Sequence, residues 1–182
     1  MKSIRILMLI LVPCFVSPAW PQVKSNQTLT TGREQRVVLT SASGSPESQR
    51  YKFVREWGAL AAPGALNSAV SVAVDAQGNI FVADLQNSRI EKFDNTGKFL
   101  LTWGKVGHGN GDFWLPWGVA VDAAGNVFVA DTNNDRIQVF TNDGAFITAW
   151  GTQGAGNGQF QLPTALALDS SGNVFVAGKA AP

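Results

Sequence analysis

Cysteine and histidine are almost missing from the 182 residues, since each occurs once, as Cys14 and His108. One cysteine cannot form an internal disulfide, and zinc sites and catalytic triads need histidine together with partner side chains. Charge is also scarce: Lys, Arg, Asp and Glu make up 15% of the chain and leave a net charge of +1. Nucleic-acid binding, which depends on clustered Lys and Arg, is therefore not expected.

The N-terminal residues have the composition of an export signal. A short cationic start precedes an apolar run over 6–16 that is too short to span a bilayer as a helix, and small residues follow. We predict a signal peptide over 1–19 and a secreted or periplasmic protein; an uncleaved anchor is the alternative. Cleavage after Ala19 would remove Cys14, leave twelve basic and thirteen acidic residues, and leave no stable membrane span. Residues 20–50 are polar and predict a linker or disordered arm.

The rest of the chain repeats with a period of 47 residues. The segment SVAVDAQGNIFVADLQNSRIEKFDNTGKFLLTWG, residues 71–104, aligns with GVAVDAAGNVFVADTNNDRIQVFTNDGAFITAWG, residues 118–151, and a third copy starts at residue 165 with ALALDSSGNVFVAG. Apolar residues alternate with polar ones in short runs bounded by Gly, Asn and Asp, which indicates strands and not helices. The repeats extend over about 58–104, 105–151 and 152–182, and the last is incomplete.

Each complete copy is predicted to form four strands, which in the second copy are 118–121, 126–130, 136–140 and 145–150. Short connections make neighbouring strands antiparallel. Four-stranded sheets that repeat about every 40 to 50 residues are typical of an all-β propeller. The segment 51–58 matches the fourth strand of a copy but has no other strands before it, and the third copy has only two strands. With the eight strands of the two complete copies, the predicted total is eleven, which does not close a ring.

The string LPWGVAVDAAGNVFVADTNNDRIQVF, residues 115–140, followed by GAFITAWG, resembles the NHL repeat. The resemblance covers 51–178 and implies a propeller that commonly has six blades. The third copy departs from the pattern, because Gly178 stands where Asp84 and Asp131 stand. We therefore expect a truncated reading frame that lacks about three repeats. Assembly of two or more copies into a ring is the alternative, open only if the chain is not truncated.

The polar residues that recur in the copies are interpreted as structural. An Asp opens each DxxGN turn and a Gly three residues later takes the left-handed conformation. These residues are Asp75, Gly78, Asp122, Gly125, Asp169 and Gly172. Asp84 with Arg89, and Asp131 with Arg136, flank a bend and are predicted to pair. DTNNDR resembles the start of a calcium loop but continues with Arg136 where an EF-hand needs Gly. No metal and no cofactor are predicted.

Candidate ligand-binding residues lie where the copies differ. Trp114 and Trp117 do not recur in the other copies. The connections between sheets and the bends between second and third strands are expected on the same face of the propeller, and both tryptophans lie near that face. Exposed aromatic rings there would suit stacking on a sugar or a peptide, but packing in the core is the favoured interpretation of these two rings. The candidate set is Trp114, Trp117, His108, Asn110, Asp112, Asn133 and Asn134.

The expected function is non-catalytic: an exported NHL-type propeller that presents one loop face to a protein, peptide or glycan. The alternative is a fragment of a propeller enzyme, lyase or lactonase-like, whose active-site residues lie largely in missing repeats. No catalytic residue is predicted, because the innermost strands carry Val, Ala and Leu apart from the turn Asp residues. RNA binding, known for some NHL proteins, conflicts with the predicted export.

Overall fold

The structure is a computed structural model that describes residues 37–43, 50–57 and 64–179, with side chains described for 64–179. The predicted signal peptide and most of the predicted arm lie outside the described residues. Within the described part, no helix is long and apolar enough to cross a membrane.

The described residues form twelve strands, one more than predicted. The additional strand is β1 (Val37–Ser43), which lies inside the predicted arm and forms an antiparallel hairpin with β2 (Arg50–Trp57). The first repeat forms blade A, with strands β3 (Ala69–Val74), β4 (Ile80–Asp84), β5 (Arg89–Phe93) and β6 (Phe99–Trp103). The second forms blade B, with strands β7 (Pro116–Val121), β8 (Val127–Asp131), β9 (Arg136–Phe140) and β10 (Phe146–Trp150).

Both blades are antiparallel meanders in which each strand pairs with the next along the chain. The third repeat forms a half-blade of two strands, β11 (Pro163–Leu168) and β12 (Val174–Gly178). The predicted all-β architecture of four-stranded antiparallel sheets is confirmed. The six-blade count stays a prediction.

The hydrophobic core lies mainly between blade A and blade B. Phe81 of β4 and Phe140 of β9 are fully buried, and Trp103 fills the space between them, with ring centroids 6.3 and 5.8 Å away. Phe113, from the connection between the blades, is also fully buried and lies 5.4 Å from Phe140. Apolar side chains from the two sheets and their connection therefore form one packed layer, which fixes the blades face to face.

The innermost strands of successive blades approach one another closely. A Cβ on Gly118 of β7 would lie 2.8 Å from the carbonyl oxygen of Thr164 in β11, so no larger residue fits without a shift. On the other side, the backbone N–H of Val119 donates to the Ser71 hydroxyl of β3 over 3.2 Å. Each innermost strand also has a β-bulge after its first residue, which in blade B leaves Trp117 outside the regular pairing.

The DxxGN turns have the geometry that their residues demand. In the first, Asp75 Oδ1 accepts the backbone N–H groups of Gln77 and Asn79, at 3.0 and 2.8 Å, and Gly78 has a φ of +86°. Burial works to raise the pKa of Asp75, but hydrogen bonds from Asn142 and Asn79 outweigh it and hold the pKa below its ordinary value. The turns of Asp122 and Asp169 repeat the bonds to the Asn four residues later.

Candidate functional site

One end of blade B is covered by two segments that together form the loop face: the connection 104–115 and the bend 132–135. The bend is a 3₁₀ turn, Thr132–Asn134, closed by Asp135 with a φ of 50°. It lies against the connection, because the backbone N–H of Asn133 donates to the carbonyl of Trp114 over 3.1 Å. The two segments therefore share one face, as the meander topology predicts.

Asp131 is the centre of a buried hydrogen-bond network beneath the loop face. Its Oδ2 accepts from Arg136 Nε at 2.8 Å, Asn134 Nδ2 at 2.8 Å and Gln138 Nε2 at 3.0 Å. Its Oδ1 accepts the backbone N–H of Trp114 at 2.8 Å. Since this carboxylate has no solvent exposure, the bonds supply the compensation that a buried charge requires.

Arg136 and Gln138 extend this network to the connection 104–115. One Arg136 guanidinium nitrogen donates to the carbonyls of Gly109, at 2.7 Å, and Asp112, at 3.1 Å. Gln138 Nε2 also donates to the Asp112 carbonyl at 2.7 Å, and its Oε1 accepts the Gly111 N–H at 3.0 Å. The network, which we call the clasp, thus binds blade B to the connection that precedes it.

Blade A has a clasp of the same design with one changed residue. Asp84 Oδ2 accepts from Arg89 Nε at 3.2 Å, and Arg89 donates onward to the carbonyl of Ala65 at 2.7 Å. Glu91 stands where blade B has Gln138; it is fully buried and forms an ion pair with Arg89. Neither of its oxygens accepts a well-aligned hydrogen bond. Burial raises the pKa of Glu91 from 4.5 to about 7, Arg89 opposes the rise, and Asp84 adds to it.

Three of the predicted binding residues come together on the loop face. Asn134 Nδ2 donates to Asp131 and to the carbonyl of Gly107, so its Oδ1 is turned toward His108, whose Nδ1 lies 2.6 Å away. The imidazole meets the Trp114 ring edge to face, with centroids 5.2 Å apart and planes at 87°. His108 is exposed, and Trp114 is 44% exposed. Trp114 is therefore not among the buried core residues of the described part of the chain.

The other four predicted residues are placed differently. Trp117 is 40% exposed at the β7 bulge, and within the described part of the chain its ring contacts no other ring. Asn110 is exposed at the tip of the connection, and Asn133 is half-buried in the bend. The Asp112 carboxylate faces Lys105, with Oδ1 and Nζ 3.8 Å apart, while its carbonyl serves the clasp. Asp112 is thus part of the support of the loop face.

The sequence reasoning missed four polar residues that the structure makes important. Gln138 and Glu91 occupy one repeat position with different chemistry, a difference that an alignment of the copies displays. Lys92 is almost buried and reaches blade B, where its Nζ donates to the Asn142 carbonyl at 3.2 Å and contacts Asn142 Oδ1. Asn142 also donates to Asp75 Oδ2 at 3.0 Å, so the two blades share a polar bridge.

Residues 64–179 contain no group of three or more His, Cys, Asp or Glu side chains placed to hold a metal ion. Around Asp131 the donors are Arg136, Asn134 and Gln138, and the guanidinium occupies the position that a cation would need. The loop face offers instead the exposed Trp114 ring and the exposed imidazole of His108, whose Nδ1 contacts Asn134 Oδ1.

Comparisons with known proteins agree with this fold. The family model of the NHL repeat matches residues 113–140. Among solved structures, a streptogramin B lyase is 18% identical with a TM-score of 0.51, over 81% of this chain and 46% of that one. Virginiamycin B lyase from Staphylococcus aureus is 13% identical, also with a TM-score of 0.51, over 82% and 47%. The hydrazine synthase of Kuenenia stuttgartiensis is 15% identical with a TM-score of 0.50, over 62% and 30%.

At these identities the likeness establishes the fold alone, and the chain spans less than half the length of the three solved structures. No curated protein matches the chain. The family match covers the end of the connection and the first three strands of blade B, where the clasp lies. Residues 113–140 are thus similar to the NHL repeat, and the four-stranded blades have the fold of β-propeller proteins.

Proposed function

We propose that this chain is an exported binding module that holds a protein, peptide or glycan on the loop face of blade B. The observation that carries the proposal is the exposed pair formed by His108 and Trp114, held in place by Asn134. Exposed aromatic rings on a rigid support bind sugars and peptides by stacking. The fold supplies the support, and the chemistry belongs to residues that do not repeat.

The hydrogen bonds around Asn134 determine what His108 offers to a ligand. Because both acceptors of Asn134 Nδ2 lie in the protein, Asn134 Oδ1 must accept from His108 Nδ1. A neutral imidazole then presents a bare Nε2, which accepts a hydrogen bond from a hydroxyl or amide. A ligand that stacks on Trp114 and donates a hydrogen bond to His108 fits this arrangement.

The proposal is tested by binding measurements on the folded protein. Intrinsic tryptophan fluorescence and calorimetry would be recorded with a panel of neutral oligosaccharides and with a mixture of short synthetic peptides. For any probe that binds, Trp114→Ala and His108→Ala should each weaken binding by about tenfold or more. Ile147→Ala, which changes a residue 47% exposed on the outermost strand β10, is the control and should leave binding unchanged. Binding that survives both changes on the loop face would refute the proposal.

A fragment of a propeller enzyme is the second candidate, because two of the structures with the same fold are lyases. An enzyme would convert the bound molecule chemically, whereas a binding module would release it unchanged. Incubation of the bound probe with the protein, followed by mass spectrometry, separates the two candidates. An altered probe with a stoichiometric bound metal ion would favour the enzyme, and an unchanged probe would favour the binding module.

A further inference from the structure

Blade B has a described neighbour on each side, so its loop face is seen with adjoining protein in place. On the β11 side, the Thr132 hydroxyl donates to the carbonyl of Pro163 and the Leu162 N–H donates to Asp135 Oδ1, both over 2.7 Å. Blade A lies on the other side, where its β3 bonds to β7. The 44% exposure of the Trp114 ring therefore persists between two packed neighbours.

The pair of rings on this face belongs to the connection 104–115 and is not repeated in the next one. In the connection 151–162, Ala155 stands at the position of His108, and Gln161 stands at the position of Trp114. Aromatic surface is thus local to one connection, which suits a ligand unit of small size that covers one or two side chains.

The charged side chains of the loop face are neutralised within the protein. Asp131 and Arg136 form the largely buried ion pair of the clasp. The buried Asp135 accepts a backbone N–H at 2.7 Å. The remaining two, Lys105 and Asp112, face each other with Nζ and Oδ1 3.8 Å apart. A charged ligand would therefore meet no unpaired counter-charge on this face, and an uncharged ligand is favoured.

Neither segment of the loop face is a strand. The connection contains one isolated bridge, between Val106 and Phe113, and the bend is a 3₁₀ turn. The carbonyls of Gly107 and Gly109 already accept from side chains beneath them. A peptide that binds by strand addition needs a row of free backbone groups along a strand edge. Recognition on this face must therefore come from side chains.

The side chains available for recognition are neutral and can both donate and accept. Among residues 64–179, His108 Nε2 has no hydrogen-bond partner, and neither has the amide of the exposed Asn110. A hydroxyl group both donates and accepts, so it can bond to the imidazole acceptor or to either end of the amide. A sugar ring carries such hydroxyls around an apolar C–H face, which stacks on an aromatic ring.

We infer that the loop face binds a neutral sugar ring, whose C–H face stacks on Trp114 and whose hydroxyls bond to His108 and Asn110. The inference rests on the proposed function and narrows its ligand from a protein, peptide or glycan to one chemical class. Asn134 acts as a positioning residue, because it holds His108 through Nδ1, 2.6 Å from its own Oδ1.

Calorimetry on the full chain tests the ligand class directly. The neutral probes are hexasaccharides of glucose, mannose, galactose and N-acetylglucosamine; hexagalacturonate is the acidic probe, and a mixture of short synthetic peptides is the third kind. At least one neutral hexasaccharide should bind, and more tightly than the other two kinds of probe. Its Kd should be the same in about 0.05 M and about 0.5 M NaCl, because salt screens only charged interactions.

Substitutions then locate the bound sugar. Trp114→Ala should raise Kd by about tenfold or more, and His108→Phe, which keeps a ring beside Trp114 but lacks Nε2, by about fivefold to tenfold. Asn110→Ala should raise Kd by about threefold to tenfold. Asn157→Ala is the matched control, because Asn157 is the exposed equivalent of Asn110 in the next connection, and it should leave Kd unchanged.

The outcomes separate this inference from the proposed function. Failure of every neutral hexasaccharide to bind would overturn the inference. If the peptides or hexagalacturonate then bind in a way that depends on Trp114, the proposed function still stands. Binding of a neutral probe that Trp114→Ala and His108→Phe leave unchanged would overturn both. Where Trp114→Ala fails to fold, His108→Phe and Asn110→Ala, which change exposed residues, decide between these outcomes.

Discussion

The guanidinium of Arg136 lies with its Nε 2.8 Å from Oδ2 of Asp131, whose side chain has no solvent exposure. The same guanidinium donates to two carbonyls of the connection, at Gly109 and Asp112. One ion pair therefore joins the end of β8, the start of β9 and the segment that leads into the blade. Removing either partner would leave the charge of the other without its counter-ion in a largely buried position.

Asp131→Ala is expected to destabilise the chain by about 3–5 kcal/mol, because Arg136, Gln138 and the Trp114 N–H all lose an acceptor. Urea unfolding followed by fluorescence would measure the change. Asp143→Ala is the matched control: Asp143 is 86% exposed and pairs with Lys92 at 3.6 Å. That exposed pair should contribute no more than about 1 kcal/mol. Equal losses in the two variants would contradict the role given to Asp131.

Glu91→Gln is expected to stabilise the chain by about 1–3 kcal/mol at pH 8, where the buried carboxylate is ionised and poorly hydrogen-bonded. The new amide would have a carbonyl acceptor at Ala65, as Gln138 has at Asp112. Below pH 5 the gain should shrink, because Glu91 is then protonated. Unfolding titrations at several pH values on the two proteins check this expectation.

The sign of the pH effect follows from the raised pKa of Glu91. The folded state holds this proton up to about pH 7 and the unfolded state releases it near 4.5, so unfolding becomes easier as pH rises between those values. The Glu91→Gln variant should lose that dependence. The reverse change, Gln138→Glu, should introduce it into blade B, and a flat profile in that variant would contradict the explanation.

Asn142→Ala is expected to cost about 1.5–3 kcal/mol, because it removes the side-chain hydrogen bonds to two charged groups on the other blade, Lys92 and Asp75. The pKa of Asp75 should rise towards 3.8. Stability from a lowered carboxyl pKa is present above the unfolded value and is lost as pH falls through the folded one. The variant should therefore show a smaller loss of stability below pH 4. Asn95→Ala, at the exposed equivalent position of blade A, is the control and should change neither quantity.

The alternation of apolar residues and the DxxGN turns were sufficient to predict four strands in each of blades A and B, and in blade B to within two residues at each strand end. Local chemistry determines both features, since Asp and Gly form the turns and alternation selects the buried face. β1 was not predicted, because the loop that follows it differs in length from the equivalent loop of the repeats. Six residues, 44–49, separate β1 from β2, whereas five separate β9 from β10.

The loop face was predicted in outline and not in its bonding. Topology alone placed the connection and the bend on one side, and lack of repetition singled out Trp114. The pairing of His108 with Asn134 joins residues 26 positions apart and depends on how the connection folds back. The difference between Glu91 and Gln138 is visible in sequence, but its effect on protonation follows only from complete burial.

Each clasp fastens a blade to the connection that precedes it, as Arg136 does with Gly109 and Arg89 with Ala65. A connection and the blade after it, about residues 105–151, therefore contain both the donors and the acceptors of one clasp. A gene duplication with those boundaries would insert a unit that contains the hydrogen-bond donors, the acceptors and the carboxylate of a complete clasp. The inserted unit would need only apolar faces that pack against its neighbours. The number of repeats can therefore increase by whole units without new polar contacts between them.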